Sequence, residues 1–135
     1  MEMNGRNLLT MMRSGSSPLR VEQGRWKGEL LCHRKCQLCV TGEVETEKHF
    51  LLECWVMDKE RRLLFRNILI ETGFDLLRMN DDTQWQLEIL LGVGFVEKQS
   101  RLVTYQLVGE FLSVALAKRR KLLTGLLTRG VDGTI

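Results

Sequence analysis

Cys36-Gln-Leu-Cys39, then nine residues to His49 and four more to Cys54, is the stretch on which the reading of this chain turns. Thiolate and imidazole are the donors a borderline-soft cation such as zinc prefers. A tetrahedral site takes them from two short arms across a loop, a Cys-x2-Cys turn and then a pair about three to five residues apart. Three of the four cysteines in the chain fall into this pattern. Four protein ligands leave no open position for water, so the spacing predicts a closed, structural Cys3His zinc site at Cys36, Cys39, His49 and Cys54. Such a site contributes roughly 10–16 kcal/mol in small peptides, against about 5–15 kcal/mol for the stability of a whole domain. Residues 32–54 are therefore expected to lose their fold without metal. Cys32 is a spare thiol, and Cys32-x3-Cys36 is an alternative first arm, although the x2 spacing suits a knuckle better. His49 and Cys54 lie about 140° apart around an ideal helix, so a helix carrying both must loosen or turn at Glu53–Cys54.

Outward from the site, the pattern is helical. Thr46 is placed to cap a helix over Glu47–Cys54. Downstream, residues 57–72 read as a stronger helix. Its apolar pairs are Leu64/Ile68 and Phe65/Leu69, its wet side is Asp58, Glu60, Arg61, Arg62 and Arg66, and Gly73 stops it with Phe74 folding back on Leu69. Asp81-Asp82-Thr83 reads as the start of a third helix, with Thr83 and Gln86 as a capping box, Trp85 and Ile89 on one face, and Gly92-Val-Gly94 as its end. A last helix from about Val96 to Leu123 carries Leu102, Tyr105, Gly109, Leu112 and Leu116 on one face, widened by Val103, Leu107, Phe111 and Val114. Upstream, residues 6–13 form a short helix ended by Gly15 and Pro18. Residues 19–31, with two glycines and no helical period, read as an extended approach to the metal arm. The expected fold is mainly α: a small helical domain with one Cys3His knuckle and a long C-terminal amphipathic helix. It spans residues 1–127, with the knuckle segment at 13–56 and the helical segment at 57–127. Residues 128–135 are a tail expected to fray.

Charge narrows the partners. The net charge is only +3, but residues 1–40 hold seven Lys/Arg against three Asp/Glu. Arg13, Arg20, Arg25, Lys27, Arg34 and Lys35, interleaved with Trp26, form a candidate groove in which the aromatic stacks a base while the cations take phosphates. Internal salt bridging, for example Arg25 to Glu22, is the competing use. The run Lys118-Arg119-Arg120-Lys121 is a second candidate for phosphates. Four consecutive residues sweep round a helix, however, and basic residues near a helix C-terminus also complement its dipole. No leader-like N-terminus, no sequon and no apolar run long enough for a membrane span is read from the sequence. Cysteines clustered around a histidine point to metal and a reducing, intracellular setting, nuclear or cytoplasmic. There is no Ser/His/Asp set and no phosphate-binding glycine loop, and Asp81-Asp82 reads as a helix cap. The chain is expected not to be an enzyme, and a zinc hydrolase would need an open ligand position and a free carboxylate beside it.

Taken together, Arg13-x-Gly15-x3-Leu19-x2-Glu22-x-Gly24-Arg25-Trp26, then Cys36-x2-Cys39, then Gly42-Glu-Val-Glu45-Thr46-Glu-Lys-His49-Phe-Leu-Leu-Glu-Cys54 resembles the C-terminal zinc-binding region of non-LTR (LINE-type) retrotransposon reverse transcriptases. The likeness is specific over residues 13–66 and looser beyond. It departs at Trp55, where such sequences often carry proline, and at the extra thiol Cys32. It implies a zinc knuckle that follows a polymerase and handles RNA or DNA during target-primed reverse transcription. The polymerase domain would then be a partner within the same parent protein. Polymerase palm aspartates and an endonuclease are absent from this sequence. The alternative function is a zinc-stabilised module that docks on a protein through its long amphipathic helix.

Overall fold

The computed structural model describes residues 5–79, 82–91 and 97–132. Five α-helices follow one another: α1 (Gly5–Ser14), α2 (Arg20–Trp26), α3 (Asp58–Thr72), α4 (Thr83–Leu90) and α5 (Lys98–Asp132). Short 3-10 turns lie at Leu31–His33, Trp55–Met57 and Leu76–Met79, and a π-helical turn lies at His49–Glu53. Among the described residues there is no strand, only one antiparallel bridge between Lys35 and Val44. The mainly α expectation holds, with the Cys3His cluster and the long last helix both in place.

The spine is α5, 35 residues and about 52 Å long. Helices α1, α3 and α4 all pack against it. The core joins Leu8, Leu9 and Met12 of α1 to Leu64, Phe65 and Ile68 of α3 and to Val108, Phe111, Leu112 and Ala115 of α5. Burial of this apolar surface is the main force holding the helices together, at about 25 cal/mol per Å². The knuckle is not an appendage to it. Phe50 and Leu51, from the π turn, are completely buried in the same core, and the Phe50 ring lies 6.3 Å from that of Phe111.

Local signals account for several boundaries. Gly73 ends α3 with φ 75°, a left-handed conformation that suits glycine, and its N–H donates to Leu69 O. Pro18 and the serines before it separate α1 from α2.

Five expectations need correction. Residues 20–26, read as extended, are helical. Gly24 sits inside that helix because the Arg34 side chain crosses there, and a Cβ would lie 2.4 Å from Arg34 Cγ. The Thr83/Gln86 capping box does not form: α4 is capped by Asp82, in line with the reading of Asp81-Asp82 as a cap, with Oδ1 accepting from the Trp85 N–H at 2.9 Å, while Gln86 is buried and donates to Leu76 O. On α3, Leu69 is exposed and Arg61 is buried, the reverse of the expected pattern. On α5, Thr104, Val108, Phe111, Ala115 and Arg119 face inward while Leu102 and Val114 are exposed, so the buried face is rotated from the one expected. Helix α5 also continues to Asp132, past Leu123. Asp81, Gly92-Val-Gly94, Val96 and residues 133–135 lie outside the described residues.

Candidate metal centre

Two local structures bring the four donors together. The first arm bends through Cys36–Cys39 and is held by the Cys36 N–H donating to Glu43 O and by the Lys35–Val44 bridge. Val40, directly after Cys39, has φ 47°, a strained conformation for a β-branched residue at the exit of the turn. The second arm is the π turn. Thr46 Oγ1 accepts from the His49 N–H at 3.0 Å and starts it. The Cys54 N–H then donates to His49 O at 2.7 Å, a span of five residues. This is the loosening that the His-x4-Cys spacing requires, because a π turn brings residues i and i+5 back over one another.

One ligand atom from each of Cys36, Cys39, His49 and Cys54 lies within 4.8 Å of the others, and all four residues are buried. Cys36 and Cys54 Sγ are 3.9 Å apart, and Cys39 Sγ is 3.4 Å from His49 Nε2. The opposite ring nitrogen, His49 Nδ1, is buried, makes no hydrogen bond and sits 3.5 Å from Glu53 Oε1. A carboxylate behind the distal nitrogen is how metal-binding histidines are oriented, with the near nitrogen left free to ligate. The Cys36 thiol is pushed well above its usual range, first by its contact with Cys54 and then by burial. The same contact lowers Cys54. A cation bound by these thiols displaces their protons, so cation binding weakens as pH falls. The donor set and its burial fit a metal ion. Cys32 is exposed and outside the cluster, so Cys36-x2-Cys39 is the first arm.

A second set of contacts holds this site to the helices. The carbonyls at the end of a π turn have no partners within it. Arg61 supplies two of them, with Nε donating to Leu51 O at 2.8 Å and Nη2 to Phe50 O at 3.2 Å. Nη2 also donates at 2.8 Å to Cys54 O, which lies just past the turn and accepts from the Met57 N–H as well, and Nη1 donates to Asp58 at 2.7 Å. Burial lowers the pKa of this guanidinium, with the Asp58 charge opposing the shift. Glu45 is completely buried and forms a two-pronged pair with Arg119 of α5, at 2.9 and 2.7 Å. Its Oε1 also accepts from the Arg20 N–H at the start of α2, at 2.7 Å. Neither role was visible in the sequence, although Glu45 stands next to Thr46 in the motif.

The expected nucleic-acid residues divide. Arg13 donates to Leu91 O and lies over the Tyr105 ring, Arg20 pairs with Glu29, and Arg25 bonds Glu22 and Gly15 O. Arg34 is held by Glu29 O and Val21 O, and Lys118 by Val56 O and Glu60. Arg119 is enclosed with Glu45, so it serves the fold and is not on the surface where a phosphate would meet it. Trp26 is 72% exposed, with the Arg25 guanidinium 5.9 Å from its ring centroid. Lys27, Lys35, Arg120 and Lys121 are exposed and have no ion pair among the described residues. No described helix is long and apolar enough to cross a membrane.

Comparison with protein-family models, with curated proteins and with solved structures finds no match to this chain.

Proposed function

We propose that this chain is a non-catalytic zinc-binding module that binds RNA or DNA, of the kind found after the polymerase in non-LTR retrotransposon reverse transcriptases. The observation that carries the reading is the closed donor set: three thiols and one imidazole, all buried and all from the protein. Zinc–sulfur bonds of about 2.3 Å and zinc–nitrogen bonds of about 2.0 Å imply neighbouring ligands roughly 3.5–3.8 Å apart in a tetrahedron, close to the Cys36–Cys54 and Cys39–His49 separations of 3.9 and 3.4 Å. Bound there, zinc supplies structure by tying the Cys36–Cys39 turn to the π turn. The motif behind the resemblance also acts as one unit, since Glu45 anchors α5, Thr46 starts the turn, and His49 and Cys54 close it.

Charge supports an anionic partner. Internal ion pairs take up Glu22, Glu29, Glu45, Glu53, Asp58 and Glu60, whereas Lys27, Lys35, Arg120 and Lys121 remain exposed. Trp26 and Lys27 lie at the end of α2, the helix that Glu45 and Arg34 tie to the knuckle. An exposed indole beside cations is a stacking platform for a base.

The test is binding of zinc-loaded protein to single-stranded RNA, single-stranded DNA and hairpins across a salt series. Affinity is expected to fall steeply between about 50 and 200 mM salt, to drop in Trp26→Ala and Lys27→Glu, and to vanish in Cys39→Ser. Absence of binding at low salt to every nucleic acid would overturn the reading.

A further inference from the structure

The outer face of α3 has a use that the core does not explain. Leu64, Phe65 and Ile68 point inward. Lys59, Arg62, Leu63 and Arg66 have the spacing i, i+3, i+4, i+7, so they share one outer face. This face lines an open groove of about 820 Å³ together with Val114 of α5 and with Trp55 and Val56. Trp55, Leu63 and Val114 are 59%, 58% and 59% exposed, a cluster of large apolar side chains left in water. Ile70, 65% exposed, continues the stripe about two turns beyond Leu63.

The charges of the groove are one-sided. Its two carboxylates are already engaged, Asp58 with Arg61 at 2.7 Å and Glu60 with Lys118 at 2.6 Å. Lys59, Arg62 and Arg66 have no ion pair among the described residues. Like charges three and four residues apart on a helix destabilise it by about 0.2–0.5 kcal/mol per pair, a cost that an anionic occupant would relieve. Trp55 and Val56 are held in place. Trp55 Nε1 donates to Cys39 O at 3.2 Å, and Lys118 Nζ to Val56 O at 2.9 Å, so the indole position depends on the Cys36–Cys39 turn.

An occupant must cover aliphatic surface and bring anions. A nucleic acid brings phosphates, but its bases gain most from aromatic faces, and the groove has only Trp55; Leu63 and Val114 would stay wet. An amphipathic helix with an aliphatic stripe and acidic flanks meets both needs at once. We infer that the α3/α5 groove docks an acidic amphipathic helix of a partner protein. The apolar stripe of that helix lies on Trp55, Leu63 and Val114, and its carboxylates meet Lys59, Arg62 and Arg66. This stands apart from the nucleic-acid reading, which places its contacts at Trp26 and Lys27.

The test uses the full zinc-loaded chain and a fluorescent synthetic helix of about four turns, with leucine along one stripe and glutamate on its flanks. Saturable binding is expected. It should weaken at least about tenfold, roughly 1.4 kcal/mol, in Leu63→Ser and in Arg62→Glu/Arg66→Glu, and stay unchanged in Lys27→Glu. A helix with lysine flanks should bind the native groove poorly and the Arg62→Glu/Arg66→Glu protein better, a charge-reversal rescue that a misfolded variant could not give. The inference is overturned if the glutamate-flanked helix does not bind, or if groove substitutions leave its binding unchanged. It is also overturned if those substitutions abolish oligo(dT) binding but not helix binding. Loss of oligonucleotide binding only in Trp26→Ala or Lys27→Glu would bear on the nucleic-acid reading alone.

Discussion

Arg61 stands in a run of charged residues, Asp58 to Arg62, where helical spacing alone puts it in water. It is buried because the π turn that aims His49 and Cys54 leaves the Phe50 and Leu51 carbonyls with no acceptor role inside the turn, and a planar guanidinium can reach both, and the Cys54 carbonyl beyond them, at once. Such a group is not replaced by lysine, which has no fork. Arg61→Ala should destabilise the fold by about 3 kcal/mol or more and weaken zinc affinity with it, measured by urea unfolding and by competition with a chromophoric chelator. Arg61→Lys should recover only a minor part, whereas Arg62→Ala, one residue away and exposed, should change neither. Other single residues follow the same logic. Glu47 is half-buried, and its carboxyl is raised by burial and by the neighbouring charge of Glu22. Glu60 is lowered on balance: burial, the largest single effect, raises it, but its bond to Lys118, its backbone hydrogen bond and the Lys118 and Lys59 charges together outweigh burial. The two therefore act oppositely in acid: the Glu60 contribution is present above its ordinary pKa and lost as pH falls through the lowered folded value, while protonation relieves Glu47.

Among the elements, α5 is tied to the knuckle by a pair that spans 74 positions in sequence, Glu45 with Arg119. A buried pair of this kind adds little net stability over an apolar replacement, but breaking one partner leaves the other charged and dry. Arg119→Met alone should therefore cost about 3–5 kcal/mol. In the double variant Glu45→Gln/Arg119→Met, glutamine can keep the bond to the Arg20 N–H. The combined loss should fall short of the sum of the singles by about 1–3 kcal/mol in a double-mutant cycle of denaturant midpoints. A surface phosphate-binding arginine would show no coupling to Glu45. The element most clearly misread from sequence, α2, was hidden by Gly24, which normally weakens a helix. Here its missing Cβ makes room for Arg34, whose guanidinium then bonds Val21 O and Glu29 O.

Across the whole molecule, the metal centre and the apolar core share residues. Phe50 and Leu51 lie between two ligands in sequence and are fully buried against α5 in space. Stripping zinc from the loaded protein should therefore not melt a local loop alone. Hydrogen exchange after chelation should show protection lost together over residues 34–54, over α3 and over the part of α5 around Phe111, with one thermal transition at a lower midpoint. Retained protection in α5 with the knuckle exchanging freely would show the two to be energetically separate.

The sequence by itself determined the features set by neighbours within about a turn and a half of chain. These are the four donors, the need for a distorted turn between His49 and Cys54, the Thr46 start, the Gly73 stop, and the existence of α1, α3, α4 and α5. Each follows from bond geometry over a few residues, which spacing records directly. The tertiary structure decided which side of α5 is buried, where Arg61 and Arg119 go, and which cations stay on the surface. Apolar residues cover much of the circumference of α5, so the pattern fits more than one orientation, and an arginine looks the same in sequence whether its partner is water, phosphate or a carboxylate far along the chain. Those choices depend on contacts between distant segments, and only the folded chain brings those segments together.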